Sequence, residues 1–112
     1  MKKVIVTGGA GFIGSNLVKN LLDLNVEKLL IIDDLSTGNE SNISSIVNDE
    51  RVEFLNSKIE DIENLNELFK DYDFCYHLAA GVGVQYIMDN LSESLLTNIF
   101  ATHKVLEACQ VN

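Results

Sequence analysis

The residues best placed to do chemistry lie near the amino terminus. Val4 to Gly14 read Val-Ile-Val-Thr-Gly-Gly-Ala-Gly-Phe-Ile-Gly, an apolar run that gives way to glycines and then to a helical pattern. The glycines can be counted as Gly8, Gly11 and Gly14, or as Gly9, Gly11 and Gly14; both registers share the last two. A strand that turns sharply into a helix needs such residues where the backbone must approach a pyrophosphate with no Cβ in the way. The first N–H groups of the helix and the positive end of its dipole then face the anion. Glycines at this spacing also serve plain strand-to-helix connections, so the reading depends on context.

The context is a second apolar run, Lys28 to Ile32, that ends in Asp33, 19 positions beyond Gly14. An acid about 20 residues after the glycine turn is placed to bond an adenosine ribose. Its charge repels a 2′-phosphate, which favours NAD over NADP, and no Arg or Lys in Asp34 to Glu40 reverses that choice. The other reading of Asp33 and Asp34 is a turn start or helix cap after a strand.

The whole chain narrows the field. Its 112 residues are 46% hydrophobic and 22% charged, a composition expected of one domain over residues 1–112 that buries roughly two thirds of its unfolded surface. Eight basic and 17 acidic residues leave a net charge of −9, which argues against nucleic acid and anionic membrane partners. The acids are spread mainly over Asp49 to Asp73 as a solvated face. No stretch approaches the roughly 20 apolar residues of a membrane span, and no charged leader precedes a cleavage site. A cytoplasmic location is the expectation. Cys75 and Cys109 are isolated and read as buried, reduced packing residues. Cys75 and His77 share one face of a strand, but His103 is distant and no further ligand has metal spacing, so no metal site is expected.

Periodicity alternates strand and helix. Lys3 to Thr7, Lys28 to Ile32, Arg51 to Leu55 and Asp73 to Leu78 read as strands. Phe12 to Leu24 reads as a helix, Thr37 to Asn48 as a short polar one, and Asp61 as the cap of another ending at Lys70. Asn90 and Glu93 form a capping box for a last helix that presents Leu91, Leu95, Ile99, Phe100, Leu106 and Cys109. Right-handed crossovers with the glycine turn after the first strand predict an α/β, doubly wound parallel sheet of Rossmann type in the order 3-2-1-4.

Four segments in sequence, Thr7-Gly-Gly-Ala-Gly-Phe-Ile-Gly14, Ile32-Asp-Asp-Leu-Ser-Thr-Gly38, His77-Leu-Ala-Ala80 and Thr97-Asn98 before Val105-Leu-Glu-Ala-Cys109, carry a resemblance. Together they resemble the N-terminal part of extended short-chain dehydrogenases/reductases, in the NAD-dependent nucleotide-sugar epimerase/dehydratase group, and the likeness covers essentially every residue. It implies that Gly8, Gly11, Phe12, Ile13 and Gly14 hold the pyrophosphate of NAD. Asp33, with Asp34, Ser36 and Gly38, would surround the adenosine ribose, and Leu78, Ala79 and Ala80 would line the nicotinamide side. For Asn98 it implies a structural or water-relay position; a helix residue bonded to a neighbouring loop is the alternative.

The chain departs from that pattern in places. Relatives carry an Asp and then an apolar residue after the third strand, and here Ser57-Lys58-Ile59 puts Lys58 where the Asp bonds the adenine amine. An ammonium cannot accept that bond, while Ile59 is expected to pack on the ring. Leu91 and Ala101 stand where Pro and Gly are common, with no functional reading. The family's general base is a Tyr of Tyr-x-x-x-Lys, but Tyr72, Tyr76 and Tyr86 are followed four residues on by Tyr76, Ala80 and Asn90. Without an acid–base residue, hydride transfer lacks its proton-transfer partner. The expected function is therefore the NAD-binding portion of a nucleotide-sugar oxidoreductase, truncated after the helix following strand four and inactive alone. The alternative is a standalone nucleotide-binding or assembly module. Nucleotide-sugar substrates are expected for the full-length family, with Gly81 to Met88 lying near them. An unpaired fourth-strand edge and the Leu95, Ile99, Phe100 surface lead to an expected homo-oligomer.

Overall fold

A computed structural model describes residues 2–79 and the helix and last residue over 91–112, with side chains described for 2–79 and 99–112. The elements are β1 (Lys3–Thr7), α1 (Phe12–Asp23), β2 (Lys28–Asp33), β3 (Val52–Asn56), α2 (Leu65–Phe69), β4 (Phe74–His77) and α3 (Leu91–Val111). The four strands are parallel in the order β3-β2-β1-β4, the architecture read from the sequence.

Side chains alternate across a strand, and β1 and β2 are apolar on both sides. Val4, Val6, Leu29 and Ile31 pack with Val18, Leu21 and Leu22 of α1. Ile5, Leu30 and Ile32 face the opposite layer, built from Leu65 and Phe69 of α2 and Ala101, Val105 and Ala108 of α3. Two cores thus sandwich the sheet, and the register Thr7↔Ile32 and Thr7↔His77 brings the ends of three strands level. The carboxyl ends of β1, β2 and β4 form the edge from which a site can be built.

Local structure corrects four readings. The helix expected over 37–48 is a single 3-10 turn, Glu40–Asn42, followed by further turns through Asp49. Asn39 Oδ1 accepts from Ser41 N–H, Ser44 Oγ donates to the Ser41 carbonyl, and Asn42 Nδ2 donates to the Ala10 carbonyl. Such side-chain bonds compete with the helical ladder, while buried Ile43 anchors the segment.

Asp61 does not cap a long helix. It closes a 3-10 turn, Ile59–Asp61, and α2 begins only at Leu65. Ile59 and Ile62, three apart, are both buried, a spacing that suits three residues per turn. Lys104 Nζ of α3 donates to the Glu60 and Ile62 carbonyls, satisfying groups that a continued helix would have used. The third correction concerns α3. Its sheet-facing residues are Ala101, Val105 and Ala108, while Ile99, Phe100 and Leu106 point outward. Small residues at these positions let the helix lie close against its neighbours, and that spacing, not the bulk of the side chains, marks the buried face. Cys109 is exposed, against expectation, and Cys75 is half-buried. Asn90 and Ala80 lie outside the described residues, as do the side chains of Leu91, Glu93 and Leu95.

Candidate functional site

The glycines of the first turn have different reasons to be glycine. Gly8 has φ +74, and a Cβ there would stand 2.8 Å from the Leu78 carbonyl carbon. A Cβ on Gly14 would collide with the Gly8 carbonyl oxygen, and one on Gly9 would come within 2.6 Å of Ile31 Cγ2. Each is required by the protein's own packing. Gly11 is different. Its φ of −76 suits any residue, and the nearest atom a Cβ would meet is the Gly8 carbonyl oxygen at 3.4 Å. Nothing in the described chain asks for glycine there, and the bare backbone opens outward at the start of α1.

That helix start is uncapped among the described residues. Gly11 occupies the cap position with no side-chain bond, and the first turn holds no acid. Ser15 N–H returns to the Gly11 carbonyl at 2.9 Å, which leaves the earlier N–H groups of Phe12, Ile13 and Gly14 without an intrahelical acceptor. Phe12 and Ile13 are 81% and 71% exposed, so these donors face outward beneath apolar side chains. The arrangement is an anion cradle with the positive helix pole behind it.

Asp33 stands beside it, at the end of β2 and only 8% exposed. Its Oδ2 accepts from Ala10 N–H at 2.9 Å and its Oδ1 from Leu35 N–H at 2.8 Å. The Ala10 carbonyl accepts in turn from Asn39 N–H at 3.0 Å and Asn42 Nδ2 at 2.8 Å. Gly38 lies against the same corner, where a Cβ would stand 2.9 Å from the Ala10 carbonyl carbon. The carboxylate therefore ties the glycine turn to the loop after β2. Among the described residues it accepts two bonds in doing so, of about four that a carboxylate can take. Asp34 Oδ1 accepts from Ser36 N–H at 3.0 Å, a local turn that shapes the same loop.

After β3, Ser57 N–H donates to the Asp33 carbonyl at 3.2 Å. Lys58 is exposed. Ile59 is 4% exposed and packs with Ile5, Leu30 and Ile32. On the other side of β1, Leu78 and Ala79 leave β4 against Gly8 and bond to Thr7. Ala80 and the side chain of Asn98 lie outside what is described. Sequence reasoning missed Thr7, His77, Asn39 and Asn42. The available signal was a hydroxyl, Thr7, ending an otherwise apolar strand, since a buried hydroxyl requires partners. Burial also shifts two pKa values here: it lowers that of the His77 imidazolium from its ordinary value and pushes that of the Cys75 thiol up to about 12, the latter helped by Cys109. The second leaves Cys75 a thiol at neutral pH.

The chain is similar to known proteins over nearly its whole length. A dTDP-glucose 4,6-dehydratase of Neisseria meningitidis serogroup B is 34% identical over 113 residues, covering 98% of this chain and 32% of the relative. A UDP-N-acetylglucosamine 4-epimerase from Methanobrevibacter ruminantium M1, solved with UDP-N-acetylmuramic acid, superposes with a TM-score of 0.88 at 37% identity, covering 99% of this chain and 34% of that one. A dTDP-glucose 4,6-dehydratase from Streptomyces venezuelae, solved with NAD bound, gives 0.86 at 31% identity over 95% of this chain and 35% of that one. The chain spans about a third of the length of the curated relatives it matches. Residues 5–112 match the family model described as GDP-mannose 4,6 dehydratase, and the chain belongs to that family of nucleotide-sugar epimerases and dehydratases.

Proposed function

We propose that this chain is the NAD-binding portion of a nucleotide-sugar epimerase/dehydratase-type oxidoreductase. The observation that carries the reading is Gly11, a residue without a Cβ where neither its conformation nor its neighbours require that, at the mouth of an uncapped helix. The Gly8 to Gly14 backbone receives the pyrophosphate. Asp33 takes the adenosine ribose with Asp34, Ser36 and Gly38 around it, and Leu78, Ala79 and Ala80 border the nicotinamide, with Asn98 nearby. Bound NAD supplies a hydride acceptor and donor; the chain's own residues bind and orient it. The 112 residues contain no Tyr-x-x-x-Lys, so the isolated chain binds the dinucleotide without turnover of a nucleotide sugar. A cytoplasmic location and a homo-oligomer complete the reading; among the described residues no helix is long and apolar enough to cross a membrane.

Gly11→Ala tests it directly. The variant should keep wild-type stability to within about 0.5 kcal/mol, because the new Cβ meets only ordinary contact. In calorimetric titration its NAD affinity should fall at least about tenfold, because the methyl occupies the space of a phosphate oxygen. Unchanged NAD affinity in the variant, or no binding to the wild-type chain, would overturn the assignment.

A further inference from the structure

Thr7 is fully buried at the end of β1, and its hydroxyl oxygen sits among three partners. Ala79 N–H donates to it at 3.1 Å, and Leu78 N–H donates at 3.0 Å while sharing itself with the Thr7 carbonyl. With both lone pairs facing N–H groups, the hydroxyl has only its own hydrogen left to place. Nδ1 of His77 lies 2.7 Å away and receives it. An accepting Nδ1 carries no proton, so a neutral imidazole here holds its hydrogen on Nε2, which points at Thr102 Oγ1 of α3, 3.1 Å away. The chain Thr102–His77–Thr7 thus links α3, β4 and β1 and ends on the backbone that leaves β4.

We propose that His77 is a positioning residue: through the Thr7 hydroxyl it holds the Leu78–Ala79 backbone in place, and it does so only as the neutral Nε2–H tautomer. That this backbone borders a dinucleotide rests on the function proposed above. Protonation would put a second N–H on the ring, aimed at an oxygen that already receives two. The hydroxyl must then turn, and one amide loses its acceptor. Leu78 N–H keeps the Thr7 carbonyl, so Ala79 N–H is the one released. Gly8 packs against the same Leu78–Ala79 peptide, which carries the change to the glycine turn.

The surroundings favour the neutral ring. From β1 it meets Thr7, and from α3 Thr102. Cys75 lies two residues back on the same face of β4. On α3, Lys104 is turned to the Glu60 and Ile62 carbonyls, and His103 pairs with Glu107 at 3.6 Å on the exposed side. Among the described residues no carboxylate bonds the ring, and burial lowers its proton affinity. The folded state therefore binds the His77 proton less readily than the unfolded chain does. The resulting stability is present above about pH 6.5 and is lost as pH falls through the lower folded value.

The test is a titration of the nitrogen-15-labelled chain from about pH 8 to about pH 5, with and without NAD. His77 should show the Nε2–H tautomer at the alkaline end, and the Ala79 amide resonance should move with the His77 titration. NAD affinity should fall about tenfold across the range, the change expected when ligand binding displaces one group's pKa by about one. His77→Asn offers Oδ1 to the Thr7 hydroxyl and cannot be protonated there. It should keep the alkaline affinity within about twofold and show no acid loss, while His77→Phe should bind weakly throughout. An Nδ1–H tautomer, or an Ala79 amide indifferent to His77, would overturn the proposal, and either is read on the wild-type chain alone. An Ala79 amide that follows His77 in a chain that never binds NAD would support the positioning role and sink the dinucleotide reading instead.

Discussion

Asp33 does two things at once, and its substitution should separate them. The carboxylate accepts from Ala10 and Leu35 N–H groups, so it braces the junction of two loops before any ligand arrives. In Asp33→Asn one of those N–H groups must face an amide NH2, and denaturant unfolding should show a loss of about 1–3 kcal/mol. The same variant lacks the charge that repels a 2′-phosphate, so its preference for NAD over NADP should shrink toward unity in parallel titrations. A preference that survives the substitution would take Asp33 out of the discrimination. The position of this residue was legible from its distance after the glycines, but its bracing role was not: Ala10 is 23 residues away, a contact no local pattern encodes. Thr7 and His77, 70 residues apart, were hidden for the same reason.

At the scale of elements, strands were easier to read than short helices. Continuous apolar runs such as Leu29 to Ile32 have one way to be buried on both sides, in the middle of a covered parallel sheet. In the segment 37–48, side-chain bonds of Asn39, Asn42 and Ser44 to the backbone decide the outcome over periodicity, and ahead of α2 it is Lys104 that takes the Glu60 and Ile62 carbonyls. On α3 the buried face is marked by Ala101, Val105 and Ala108, whose small size hid it behind larger neighbours. Ala101→Leu should therefore cost about 1–3 kcal/mol by overpacking, whereas Ile99→Lys should leave stability within about 0.5 kcal/mol. Thermal or denaturant unfolding that ranked the two the other way round would contradict the assigned face.

For the molecule as a whole, the sheet and its two layers measure 40 × 33 × 18 Å, with the candidate site at one end. Strand order was legible because handedness and the glycine turn after β1 leave few topologies. Surface was less so. Phe74 and Tyr76 are exposed on β4, whose outer edge pairs with no strand among the described residues, and with Lys2, Val4, Leu21, Leu24, Asn25 and Val26 they line a groove of about 400 Å³. Ile99, Phe100 and Leu106 add an outward apolar stripe on α3. Such an edge and stripe attract partners, so sedimentation velocity of the 112-residue chain should show concentration-dependent association that Phe100→Lys weakens. A monomer at every concentration would remove the homo-oligomer from the account.

The central claim is that a dinucleotide seats on bare backbone at the start of α1, beside Asp33. Backbone amide resonances followed during NAD titration test it most directly. The account predicts saturable shifts concentrated at Gly8 to Gly14 and at Asp33 to Gly38. Saturating NAD that left those amides unmoved, or moved only residues around the β4 groove, would contradict it.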